Sequence, residues 1–67
     1  MRLTINGETR EARQGESLSS LLQSLGLAPN TVAVERNGAI VPRSRYGEEA
    51  LMDGDRLEIV QFVGGGS

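Results

Sequence analysis

The chain has 67 residues, enough for one compact domain, and a domain of that size buries only about 60% of the surface its unfolded form exposes; a deep internal substrate pocket is not expected. Its hydrophobic fraction of 37% and charged fraction of 24% are those of a folding chain rather than a disordered one. A net charge of −2, with seven arginines and no lysine, supplies no basic field able to hold a phosphate backbone. One Phe, one Tyr and no Trp leave little surface for stacking bases, so nucleic acid is not an expected partner.

Cysteine and histidine are both absent, which excludes disulfides, thiolate metal sites and cysteine nucleophiles and removes the usual zinc ligands and the commonest general base. Neither a catalytic residue nor a metal site is expected. No apolar run approaches the roughly 20 residues that span a bilayer, and no basic segment followed by an apolar stretch opens the chain. The expectation is a cytoplasmic protein with no membrane contact, monomeric on its own.

Residues 2–6 alternate, with Leu3 and Ile5 on one face, and Asn6-Gly7 is the dipeptide best suited to a type I′ hairpin turn. The returning strand, 8–13, is polar apart from Ala12 and suits a sheet edge; Gln14-Gly15 ends it. Ser17 then offers an N-cap, Glu16 lies beside it, and Leu18, Leu21, Leu22 and Leu25 recur at helical spacing. Ser19, Ser20, Gln23 and Ser24 make the opposite face polar, so this helix packs one face against something else. Gly26 is placed to stop it.

After a connector at 27–30, Val32-Ala33-Val34-Glu35-Arg36 is β-branched and apolar enough for a third strand. Asn37-Gly38 repeats the hairpin signal, and 39–41 returns as a short fourth strand closed by Pro42. Residues 43–52 are assigned a loop with one helical turn. Asp53-Gly54-Asp55 makes a turn into a last strand, 57–63, with Leu57 and Ile59 on one face and Glu58, Val60 and Phe62 on the other. Leu57 and Ile59 are expected to meet the helix. Val60 and Phe62 share their face with a charge, which predicts an exposed apolar patch.

The order strand, strand, helix, strand, strand, strand predicts an α+β protein of the β-grasp, ubiquitin-like class: a single mixed sheet of about five strands with one helix on one face. The domain is expected to cover 1–63, and 64–67, Gly64-Gly65-Gly66-Ser67, to form a flexible tail with no side chains to bury.

Several segments together resemble the ThiS family, the ubiquitin-like sulfur carriers of thiamin thiazole biosynthesis. They are Leu3-Thr4-Ile5-Asn6-Gly7, the leucine-bearing helix from Ser17 to Leu22, Val32-Ala33-Val34-Glu35-Arg36-Asn37-Gly38, Ile40-Val41-Pro42-Arg43 with Tyr46, Asp53-Gly54-Asp55, Glu58-Ile59-Val60, and Phe62-Val63-Gly64-Gly65-Gly66. The resemblance implies a carrier and not an enzyme. Its C-terminal glycine carboxylate, that of Gly66 or of Gly65, is adenylylated by a ThiF-type enzyme and converted to a thiocarboxylate for a ThiG-type thiazole synthase. The sulfur comes from a donor of the cysteine desulfurase type. ATP is used by the activating enzyme, and no cofactor is expected on this chain.

Val60, Phe62 and Gly64 are the expected docking residues for the activating enzyme. Tyr46 is expected to anchor the 43–52 loop. Arg36, Arg43 and Arg45 are read as solvated surface charges, with an acidic partner surface as the other reading, and Glu48 and Glu49 as a solvated pair. Ser67 departs from a family whose reactive end is a glycine: it is a cloning remnant, a residue removed by a protease, or a natural end that functions differently. A small subunit of molybdopterin synthase shares the predicted fold and glycine end, and a ubiquitin-like interaction module that is never activated is the alternative from another class.

Overall fold

A computed structural model describes residues 1–62; the expected boundary between domain and tail lies outside them. The elements run β1 (Arg2–Ile5), β2 (Glu8–Glu11), α1 (Leu18–Ser24), a 3-10 turn (Pro29–Thr31), β3 (Val32–Arg36), β4 (Ala39–Ile40), a second 3-10 turn (Arg43–Arg45) and β5 (Arg56–Gln61). They form one five-stranded sheet in the order β2-β1-β5-β3-β4. The last strand in sequence is thus the middle strand in space, parallel to β1 and antiparallel to β3. This is the β-grasp arrangement expected from the element order, with the polar β2 at an edge.

Both hairpins turn at the expected dipeptides. Asn6 and Gly7 have φ of 51° and 84°, and Asn37 and Gly38 have φ of 52° and 87°, the paired left-handed conformations of a type I′ turn. The strands are one or two residues shorter than their apolar patterns, but single backbone bonds prolong them. The Ala12 N–H donates to the Met1 carbonyl, Val41 to Val34, and Phe62 to Thr31.

The helix is seven residues long, too short to be stable alone in water, and it is held at both ends. The Ser17 hydroxyl accepts from the Ser20 N–H at 3.1 Å. The Leu18 and Ser19 N–H groups, otherwise orphans of the first turn, donate to the Glu49 and Tyr46 carbonyls of the 43–52 loop. At the other end Gly26, at φ 75°, sets up a Schellman motif: the Leu27 N–H donates to the Leu22 carbonyl and the Gly26 N–H to that of Gln23.

The leucine stripe meets the sheet as expected. Leu18, Leu21 and Leu22 are buried with Leu3, Ile5, Val32, Val34, Leu57 and Ile59, and Val41, Tyr46 and Leu51 close the core from the loop side. Leu25 is half-buried against the same cluster. Tyr46 anchors the loop by burying its ring and donating its hydroxyl to the Val32 carbonyl at 3.3 Å.

Leu22 has no exposed surface, so Leu22→Ala is expected to cost about 2–5 kcal/mol in a urea unfolding series; a change well under that would place the helix face wrongly. Asn6→Gly keeps the positive φ but removes the carboxamide, which accepts from the Ile59 N–H at 2.8 Å and donates to the Ile59 carbonyl at 3.1 Å. It is expected to cost about 1–3 kcal/mol, and a neutral or stabilising result would show that Asn6 serves only the turn.

Candidate functional site

The described part of the predicted site, Val60 and Phe62, lies on β5 and just after it, so what positions β5 positions these two residues. On its β1 side the backbone ladder carries the Thr4 N–H to the Asp55 carbonyl and the Asn6 N–H to the Leu57 carbonyl. The Asn6 carboxamide then pairs with both backbone groups of Ile59, as the next residue of a strand would, although the main chain has already turned away. On the β3 side Asn37 does the same service. Its side-chain oxygen accepts from the Arg56 N–H at 2.9 Å, and its amide donates to Asp55 Oδ1 at 3.0 Å.

Asp55 opens β5 and is only 6% exposed. Its Oδ2 accepts from Arg36 Nε and from the Met52 N–H, each at 2.8 Å. Burial pushes its pKa up, but the bonds from Met52, Asn37 and Arg36, with the Arg36 charge, outweigh this and hold it below the ordinary carboxylate value. Arg36 also reaches Glu49 at 3.2 Å, and Glu49 lies 3.8 Å from Arg45. This network fastens the loop to the start of β5.

Two expectations about surface charges are corrected here. Arg36 is an internal connector, not a solvated or docking charge, because the strand register carries it toward the buried Asp55. The Glu48–Glu49 pair is split: Glu48 is exposed, whereas Glu49 is ion-paired and partly buried. Arg43, which donates to the Pro29 carbonyl at 3.2 Å, and Arg45, beside its acidic neighbour Glu49, are both exposed as expected. Sequence spacing holds little sign of the Arg36 and Arg43 pairings, whose partners lie on other elements, whereas Arg45 and Glu49 stand four residues apart.

The face of the sheet away from the helix carries the residues expected to dock. Val60 is 61% exposed and Phe62 39%. Val60 lies opposite Ala33 on β3, and Ile40 on β4 is 66% exposed, an apolar contributor that the hairpin pattern did not single out. Gly64, Gly65 and Gly66 lie outside the described residues, as do Val63 and Ser67. No helix among the described residues is long and apolar enough to cross a membrane.

A sheet of this order, one helix on its inner face and a half-apolar outer face beside the exit of β5 define a β-grasp domain with a glycine-rich C-terminal sequence. The chain belongs to the ThiS family, whose model matches residues 3–66. Over 98% of its length it is similar to the crystal structure of the thiamine biosynthesis protein ThiS from Geobacter metallireducens, all of which is covered, with a TM-score of 0.84 and 33% identity. It is 42% identical to the sulfur carrier protein ThiS of Bacillus subtilis, covering 96% of this chain and 98% of that one. A thiazole synthase of Paramagnetospirillum magneticum is 52% identical over all of this chain, and one of Magnetococcus marinus 48% identical over 98% of it. The chain spans about a fifth of the length of these two synthases.

For Asp55 the pH dependence has a definite sign. Its pKa is lower folded than unfolded, so its stabilisation is complete above the unfolded value of about 4 and is lost as pH falls through the folded value. Asp55→Asn is expected to cost about 1.5–3 kcal/mol near neutral pH. The gap in urea midpoint between the two proteins narrows steadily as acid is added below about pH 4; a gap unchanged through acid would mean that the carboxylate charge contributes nothing.

Proposed function

We propose that this chain is a sulfur carrier for thiazole formation in thiamin biosynthesis, acting through the carboxylate of Gly66, or of Gly65, and not as an enzyme. The observation that carries this reading is the unbroken family match from residue 3 to residue 66, together with nearly complete mutual coverage of a ThiS sulfur carrier. The geometry agrees with it. β5 is pinned on both sides, and its outer face offers an apolar patch at the end of the strand.

The chemistry needs little from the domain itself. A carboxylate resists nucleophiles because its charge repels them and its oxygen leaves badly. A ThiF-type adenylyltransferase overcomes this by letting the carboxylate oxygen attack the α-phosphate of ATP, releasing pyrophosphate and leaving an acyl adenylate. A persulfide from a cysteine desulfurase type donor then attacks the acyl carbon and expels AMP. Cleavage of the new S–S bond by a thiol leaves the thiocarboxylate and a disulfide. The thiocarboxylate passes its sulfur to a ThiG-type thiazole synthase. ATP is thus bound by the activating enzyme.

Glycine suits such a tail because it lacks Cβ and passes a narrow channel in backbone angles closed to other residues. At roughly 3.5 Å per residue, a stretch of four residues such as 63–66 would span about 14 Å if fully extended. Val60 and Phe62 carry the apolar contact with the activating enzyme, and Gly64 enters its channel. A free Gly66 carboxylate requires the bond to Ser67 to be cut first. The relation to segments of two thiazole synthases supports a thiazole role over that of a molybdopterin synthase small subunit.

The test is reconstitution of the chain, ended at Gly66, with ATP, a ThiF-type enzyme and a persulfide donor. The expected result is an intact mass in which one terminal oxygen has become sulfur. An unchanged mass under conditions that convert a known ThiS carrier sinks the proposal.

A further inference from the structure

β5 outruns the strand beside it. β1 pairs with it only as far as Ile5, opposite Leu57, because the chain turns away at Asn6-Gly7, whereas β5 continues to Gln61. On the other side β3 accompanies it to the end, with Val32 opposite Gln61 and the Phe62 N–H donating to the Thr31 carbonyl. Successive residues of a strand direct their backbone groups alternately to its two sides. Those of Leu57 and Ile59 face the β1 side, where the Leu57 carbonyl accepts from the Asn6 N–H and Ile59 is met by the Asn6 carboxamide. The N–H and C=O of Gln61 face the same way one step further on, and among the described residues β1 offers them no partner.

A recess of about 370 Å³ adjoins that open step, with Gln61 in its lining. Ile5 and Ile59 in it are buried, Leu25 and Leu27 half-buried, and Glu8 and Arg10 exposed. Aliphatic side chains therefore lie deepest, and one charge of each sign stands outermost. The two outer edges of the sheet are guarded differently. β2 carries Glu8, Arg10 and Glu11, and charges on an edge strand deter pairing; β4 has two residues and is soon followed by Pro42. The end of β5 has neither guard.

We propose that Gln61 and this recess form a strand-addition site. An extended segment of the enzyme that activates the tail runs beside the end of β5, pairs with the Gln61 N–H and C=O, and seats an aliphatic side chain against Leu25 and Leu27. This rests on the sulfur-carrier reading and adds a contact on the helix side of the sheet to that of Val60 and Phe62. In such sites main-chain bonds supply affinity and an adjoining pocket supplies selectivity. The occupant follows from the length of chain that remains. Gly66 is five residues beyond Gln61, at most about 18 Å when extended, so an enzyme holding its carboxylate lies within reach of this step.

The test compares full chains carrying Gln61→Pro and Gln61→Ala. Proline deletes the N–H that faces away from β3 and leaves the β3 ladder intact, whereas alanine keeps the N–H and removes only the side chain. Affinity for a ThiF-type enzyme is measured by calorimetry, the urea midpoint is recorded for each variant, and exchange of the wild-type Gln61 amide proton is followed with and without the enzyme. Gln61→Ala is expected to bind as the wild type does and Gln61→Pro about 5- to 50-fold more weakly. The Gln61 amide is expected to exchange about tenfold more slowly in the complex. Equal affinity of the two variants overturns the proposal and leaves the carrier reading intact. Where Gln61→Pro also lowers the urea midpoint, the exchange decides: an amide that the enzyme does not slow overturns the proposal. Self-association of the wild type that Gln61→Pro abolishes assigns the edge to a second copy and overturns it as well. If the wild type binds no such enzyme this proposal falls, while the carrier reading stands or falls separately on the terminal mass shift.

Discussion

The structure depends on holding the last strand of the sequence in the middle of the sheet. β5 must find β1, some fifty positions earlier, and β3 at the same time, and closing so long a loop has an entropic cost that local contacts cannot offset. Two asparagines and one aspartate meet that cost. Asn6 grips Ile59 from one side, Asn37 grips Arg56 from the other, and Asp55 receives Asn37, Arg36 and the Met52 N–H at the strand's first turn. Each asparagine also supplies the positive φ of its own hairpin. One residue type thus makes the turn and delivers the strand pair to its neighbour.

The helix shows the same economy. Seven residues have too little propensity to fold alone, and their leucines become a core only when β1, β3 and β5 present Leu3, Ile5, Val32, Val34, Leu57 and Ile59 beneath them. The 43–52 loop completes the arrangement from outside the sheet. Its carbonyls take the first-turn N–H groups, Tyr46 fills the end of the core, and Glu49 ties the loop through Arg36 to Asp55. Sheet, helix and loop therefore form one cooperative unit, as a core of this size requires.

What sequence alone conveyed follows from the range of each interaction. The leucine spacing, the Ser17 cap and Gly26 are local, and they located the helix. The two Asn-Gly dipeptides located both hairpins. The alternation in β5 separated Leu57 and Ile59 from Val60 and Phe62, and the exposures follow that division. That β5 lies between the two hairpins was legible only from the order of elements as a whole, because no local pattern in the strand names its neighbours. The second role of Asn6 and Asn37 was hidden for the same reason: positive φ already explains an asparagine there. Arg36 and Glu49 looked like surface charges because they are charged, and only the register brings them to Asp55. The glycines of the tail were legible as a family resemblance and not as geometry.

The two faces of β5 contribute unequally to stability. Inward, Leu57 and Ile59 are buried and the strand is held by the bonds from Asn6 and Asn37. Outward, Glu58 and Val60 alternate a charge with an apolar group, and Glu35 repeats the charge on β3. Arg56, two positions back on the same face of β5, lines one shallow hollow with both carboxylates. The inner face and the asparagine grips hold the strand without help from the outer one. The outer face therefore has no part in the core, and the end of β5 is fixed relative to that face by the grips of Asn6 and Asn37.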